Sequence, residues 1–141
     1  MDAIQYFFED IDFKIDNSNK ISSWISKVIS TEKYNLTSIN YIFCSDEHLF
    51  KVNKEYLNHD YYTDIITFNN AEDDSQIEGD LFISIDRVTE NAKTNGELFE
   101  KELNRVMIHG VLHLLGYNDK TKEEQIVMRE KENAYLSLLK F

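Results

Sequence analysis

Proline is absent from this chain of 141 residues, and glycine occurs only four times. A proline-rich linker is therefore excluded, and no stretch of the composition marks a boundary between domains. Cys44 is the only cysteine, which rules out an internal disulfide and fits a reducing compartment. At the end of an apolar run it reads as a small buried hydrophobe in a strand. No apolar stretch reaches the ~18 residues needed to cross a bilayer. Met1-Asp2-Ala3-Ile4-Gln5 has no basic region ahead of an apolar run, so a secretory signal is not expected and a cytoplasmic location is. Basic residues are scarce, 15 against 26 acidic ones, for a net charge of −11. That balance disfavours loose nucleic-acid binding, which rests on phosphate neutralisation. Any RNA would have to meet a local basic patch or a metal ion.

What remains is ample for a folded domain. Hydrophobic residues make up 42% and aromatics 13%, so residues 1–141 are expected to form one domain with a real core. Ile4–Phe8 and Ser38–Cys44 are rich in β-branched and aromatic residues and read as strands. Thr63–Phe68 and Gly79–Ile85 read as two more, joined by an acidic loop over Asn69–Glu78. Ile21, Trp24, Ile25, Val28 and Ile29 form the stripe of an amphipathic helix, with Asn17 or Ser18 as its cap. Ser45 or Asp46 opens a second helix with Leu49, Val52 and Tyr56 on one face. Asp86 is the expected cap of a third, which Gly96 interrupts. Glu100–Leu115 is apolar on most sides and should lie buried against the sheet, with Leu103, Val106, Met107 and Leu114 inside. Thr121–Lys140 is the closing helix, opened by the capping box Thr121-x-x-Glu124. Its Lys122, Glu123, Arg129, Glu130, Lys131 and Glu132 read as a solvated face.

One segment carries chemistry. In His109-Gly110-Val111-Leu112-His113-Leu114-Leu115-Gly116-Tyr117-Asn118-Asp119, the two histidines stand one helical turn apart and share a face. Gly116 can take the left-handed conformation that ends a helix and fold the chain back, bringing Asp119 to the same point. His109, His113 and Asp119 are thus expected to hold one ion, zinc or another divalent transition metal. Three protein ligands leave a position open, as catalytic rather than structural sites require.

The same segment resembles the signature of the YbeY family, which reads HGxLHLxGYDH. Asn53-Lys54-Glu55-Tyr56 is similar to the family's NxxY, and Asp60–Phe68 to its DxPTDVLSF segment. Gly79-Asp80-Leu81-Phe82-Ile83-Ser84 is similar to GDIxIS, and order and spacing agree over nearly the whole chain. The resemblance implies an α+β fold: a single domain with a mixed four-stranded sheet, flanking helices, and a zincin-like metal-binding helix with its return turn. It also implies a metal-dependent endoribonuclease specific for single strands, acting in ribosomal RNA maturation (16S rRNA 3′ end processing) and ribosome quality control. The small ribosomal subunit or an assembly GTPase is the implied partner.

Four positions depart from the pattern. Asp119 replaces the third histidine and Asn118 the aspartate before it. Leu57 stands where an arginine usually follows the tyrosine of NxxY, and Tyr62 stands for the proline. A carboxylate binds zinc as closely as an imidazole but cancels one unit of its charge, which suits harder ions better. Leucine cannot clamp a phosphate as a guanidinium does. Lys51, Lys54, His59 and Arg105 are the possible substitutes, and Lys51, Lys54, Arg87, Lys101 and Arg105 the material for a basic patch. For catalysis the candidates are His59 and Asp64, followed by Asp60 and Asp80; His48 is expected to be uninvolved. Two other readings compete. The spacing is also that of metzincin peptidases, but their catalytic glutamate directly follows the first histidine, where this chain has Gly110. The other is a non-catalytic ribosome assembly factor with a structural metal.

Overall fold

A computed structural model describes residues 3–139. Four strands form one sheet: β1 (Ile4–Glu9), β2 (Asn35–Cys44), β3 (Ile65–Asn69) and β4 (Gln76–Ser84). Their order is β1-β2-β4-β3, with β1 and β4 parallel to β2 and β3 antiparallel to β4. The sheet is therefore mixed, as the sequence implied. Five helices surround it: α1 (Ser18–Thr31), α2 (Asp46–Leu57), α3 (Ile85–Asn95), α4 (Phe99–Leu114) and α5 (Lys122–Leu136).

The side-chain period of two divides the sheet into faces. Ile39, Tyr41 and Phe43 of β2 join Leu81 and Ile83 of β4 on one face, packed with α1 and α4. Cys44, Ile66, Phe68 and Phe82 point to the other, where Leu49 and Val52 of α2 cover them. Leu103, Val106, Met107 and Leu114 are all buried in the larger core. No helix among the described residues is long and apolar enough to cross a membrane.

The elements differ from their expected limits where pairing, not composition, sets the end. β2 begins at Asn35 because Asn35 and Leu36 pair with Gln76 and Ile77 of β4. For the same reason β4 starts at Gln76, and the expected loop over Asn69–Glu78 shrinks to the residues between β3 and β4. Ser84, not Asp86, caps α3: its hydroxyl accepts from the Arg87 N–H, while Asp86 accepts from the Asp46 N–H. Gly96, at φ 64°, ends that helix rather than interrupting it. Asn17 occupies the cap position of α1 without a side-chain bond. In α2 the inward position falls to Asn53, and Tyr56 is 67% exposed. The closing helix ends at Leu136, and Lys140 lies outside the described residues.

Gly110 brings α4 onto the sheet. A Cβ there would strike Leu81 Cδ2 and stand 2.8 Å from Ile65 Cδ1. Gly110→Ala should cost roughly 1–3 kcal/mol of overpacking, against ~1 kcal/mol regained from helix propensity. The expected result in urea unfolding is a net loss of stability. A variant as stable as the parent would mean that α4 can lift from Leu81 freely.

Candidate metal centre

The centre is assembled at the C-terminal end of α4. His109 and His113 project from its cleft side, and the helix stops just beyond them. Gly116, at φ 102°, supplies the left-handed turn. Its N–H donates to the His113 carbonyl, and the Tyr117 N–H donates to the Leu112 carbonyl. These are the two bonds of a Schellman motif, with Tyr117 packed back on the core. The returning chain is held at its far side too. Gln125 Nε2 donates to the Asp119 carbonyl, and Thr121 and Glu124 form both halves of a capping box.

This path brings Asp119 Oδ2 to 3.3 Å from His109 Nε2 and 3.5 Å from His113 Nε2. The two Nε2 atoms are 3.0 Å apart. Two atoms bound at ~2.0–2.1 Å to a tetrahedral ion lie roughly 3.3 Å from each other, so the triangle has the size of one face of such a site. Its chemistry fits as well. His109 Nδ1 lies 2.7 Å from Glu132 Oε2, and a ring proton held there leaves a lone pair on Nε2. A backbone hydrogen bond at Tyr117 favours a proton on the His113 ring. Lone pairs and a carboxylate converging at this distance call for a positive charge among them, a ring proton or a metal cation. Among the described residues, this is the one His/Cys/Asp/Glu group of metal-binding geometry.

Glu132 is the residue that sequence reasoning missed. It lies not on a solvated face but 5% exposed on the inner side of α5, in line with buried Met128 and Tyr135. Those three positions are one apolar stripe at i, i+4 and i+7, and a carboxylate in such a stripe was the available signal. Its second oxygen accepts from Arg105 Nη1 at 2.9 Å. Burial raises the Glu132 carboxyl, but the bonds from His109 and Arg105 prevail and hold it below the ordinary value. Burial lowers His109 in turn, yet Glu132, Asp119 and Asp64 outweigh burial and raise it. His113 is lowered, by burial and then by the charge of His109.

Two hollows meet at the centre. One, of about 400 Å³, runs past Glu102, Arg105, Gln125, Arg129 and Glu132. The other, of about 640 Å³, runs past Asn53, Leu57, His59, Tyr61 and Lys120 and includes His113. Asp64, Ile65, His109 and Asp119 line both. Burial raises the Asp64 carboxyl above its ordinary value, against the pull of His109 and of backbone N–H bonds. His59 lines the second hollow but is exposed, and its Nδ1 is 2.9 Å from the Tyr61 hydroxyl.

Other expected participants stand elsewhere. Asp80 lies on β4, where its two oxygens accept from Asn40 and Asn70. Asp60 and His48 line neither hollow. The expected basic patch does not assemble from its named members. Arg87 is paired with Asp46 and Lys101 with Glu97, and Lys51 and Lys54 line neither hollow. Arg105 does, but its guanidinium already donates to Glu132 and Asn133. Gly110 faces Leu81 and Ile65 of the sheet, so the position of a peptidase glutamate is closed.

Comparison with known proteins gives the family. A family model described as Endoribonuclease YbeY matches residues 5–140. The chain is 50% identical over 140 residues to the Endoribonuclease YbeY of Cytophaga hutchinsonii, covering 99% of this chain and 98% of that one. It is 55% identical over 133 residues to that of Amoebophilus asiaticus, covering 94% and 90%. Its fold is similar to the solution structure of TM1509 from Thermotoga maritima, at TM-score 0.65 and 28% identity, covering 94% of this chain and 87% of that one. A match that runs from the first strand past the last helix, with the histidine helix and return turn inside it, makes this chain a member of the Endoribonuclease YbeY family.

Proposed function

We propose that this chain is a metal-dependent endoribonuclease that hydrolyses phosphodiester bonds of single-stranded RNA. The observation that carries this reading is the triangle of His109 Nε2, His113 Nε2 and Asp119 Oδ2 at the junction of two hollows. A polymeric substrate needs an extended surface on either side of the reacting bond, and two hollows that share Asp64, His109 and Asp119 offer one. The ion is zinc in this reading, held by His109, His113 and Asp119. Held there, such an ion would supply Lewis-acid activation of a phosphate oxygen and of water.

The chain's own residues do the rest. Glu132 holds the His109 ring by Nδ1 so that Nε2 faces the groove. Asp64, at the junction, takes the proton of the attacking oxygen, and its elevated pKa suits that task. His59 stands further along the second hollow and is not needed for that transfer. The substrate is ribosomal RNA, worked on in the cytoplasm beside the small ribosomal subunit or an assembly GTPase. Membership of the family supports that assignment, and so does a lone buried thiol compatible with a reducing compartment.

The test is cleavage of single-stranded oligoribonucleotides with zinc supplied and with a chelator, by the parent and by Leu57→Arg. Leu57 lines the groove at 39% exposure, so a guanidinium there would face RNA held in it. A charge-assisted bond of ~1.5–3 kcal/mol gives roughly a tenfold or greater gain in cleavage for Leu57→Arg. RNA left intact by the metal-loaded protein, with or without that arginine, would assign the chain to non-catalytic ribosome assembly instead.

A further inference from the structure

We infer that His59 and Tyr61 form a stacking platform beside the metal centre that receives one unpaired nucleobase of the RNA. This rests on the endoribonuclease reading for its ligand, but its argument comes from a different part of the groove.

The two rings are paired: their centroids are 5.1 Å apart at 20°, and the Tyr61 hydroxyl is 2.9 Å from His59 Nδ1. Both line the same hollow as His109, His113 and Asp119. Tyr61 remains 52% exposed. Its neighbour Tyr62 behaves differently, since its ring packs on Phe50 at 4.6 Å and its hydroxyl donates to Glu47. Tyr62 is thus used by the fold, and Tyr61 is presented to the groove.

The platform is also fixed before any ligand arrives. Asn53, 1% exposed, donates from Nδ2 to the Tyr61 carbonyl at 2.9 Å. Its own carbonyl accepts from the His59 N–H at 3.1 Å. The turn between them is made by Asn58 at φ 55°, the left-handed end of α2. One buried residue, through its side-chain amide and its backbone carbonyl, therefore pins the backbone of both aromatic residues, so ordering them costs little when a ligand binds.

Charge argues for stacking as the source of affinity. The groove has Asp64 and Asp119 at its centre, the apolar Leu57 on its wall, and Lys120 as its cation in this hollow. A chain of net charge −11 with this lining gains little from phosphate neutralisation. A π-face serves any base and needs no charge. It also selects against duplexes, whose bases are already stacked on each other.

The experiment uses zinc-loaded protein, a single-stranded oligoribonucleotide for steady-state cleavage, and its 2′-O-methyl form bearing one 2-aminopurine for binding. Parent protein should quench the 2-aminopurine on binding, with a weak dependence on salt. Tyr61→Ala should raise Kd and KM by about 5- to 150-fold, equivalent to ~1–3 kcal/mol, with the loss falling on KM rather than kcat. Tyr61→Phe and Tyr61→Trp, which keep a ring, should restore quenching and KM. Equal Kd, KM and quenching in Tyr61→Ala would overturn the platform. A loss in His59→Ala that falls on kcat alone would remove His59 from it and return that residue to the chemistry. If the parent cleaves no RNA, the endoribonuclease reading falls, and the quenching comparison still decides the platform.

Discussion

His113→Ala should leave the folded protein intact and abolish both its zinc content and its cleavage of single-stranded RNA. The ring is half-buried at the groove, and its polar partners are the other ligands and the Tyr117 backbone. Its removal leaves two ligands, too few to hold an ion against dilution. A bound metal contributes several kcal/mol of charge stabilisation, so cleavage should fall by about a thousandfold or more. Metal content by mass spectrometry and the cleavage rate are the two readouts. A third is the rise in Tm on adding zinc, which exists only if the folded state binds the ion. His109→Ala should show the same losses together with reduced stability, because it also strips Glu132 of its ring partner. Full zinc content in both variants would remove these histidines from the ligand set.

The convergence of His109, His113 and Asp119 was legible in the sequence because it is local. His109, His113, Gly116 and Asp119 fall within one helical turn and its return, where backbone geometry alone fixes what meets what. The buried helix and the mixed sheet were legible for a related reason, since apolar periodicity marks α4 and the strands without knowledge of their neighbours. What depends on a distant partner was not legible. Glu132 reaches His109 from α5, and only the packing of α4 against α5 brings them together. Arg129, Glu130 and Lys131 around it make the local sequence look like a solvated face. The start of β2 hides in the same way: Asn35 and Leu36 are strand residues because β4 lies beside them. Asp80 failed in the opposite sense. It belongs to a motif-like segment, but the strand carries it to Asn40 and Asn70 rather than to the groove.

The dependence on Glu132 can be measured directly. Glu132→Gln keeps the shape of the side chain and removes its charge, so the His109 ring loses the partner that raises its basicity and fixes its tautomer. Zinc affinity, read by competition with a chelator, should fall about 10- to 100-fold. Glu130→Gln, two residues away on the exposed side of α5, should leave it unchanged. The metal-free protein offers a second readout with a defined sign. Because folding raises His109 above its ordinary value, its protonation stabilises the fold below about pH 6.5. That contribution is lost as pH rises through the elevated value. Folding depresses Glu132, so its contribution is present above the ordinary carboxylate range and is lost as pH falls through the depressed value. The advantage of the parent over Glu132→Gln in urea unfolding should therefore peak at mildly acidic pH and shrink in both directions. A difference that stays flat with pH would mean that the pair is held by packing, and that Glu132 supports the metal centre by shape rather than by charge.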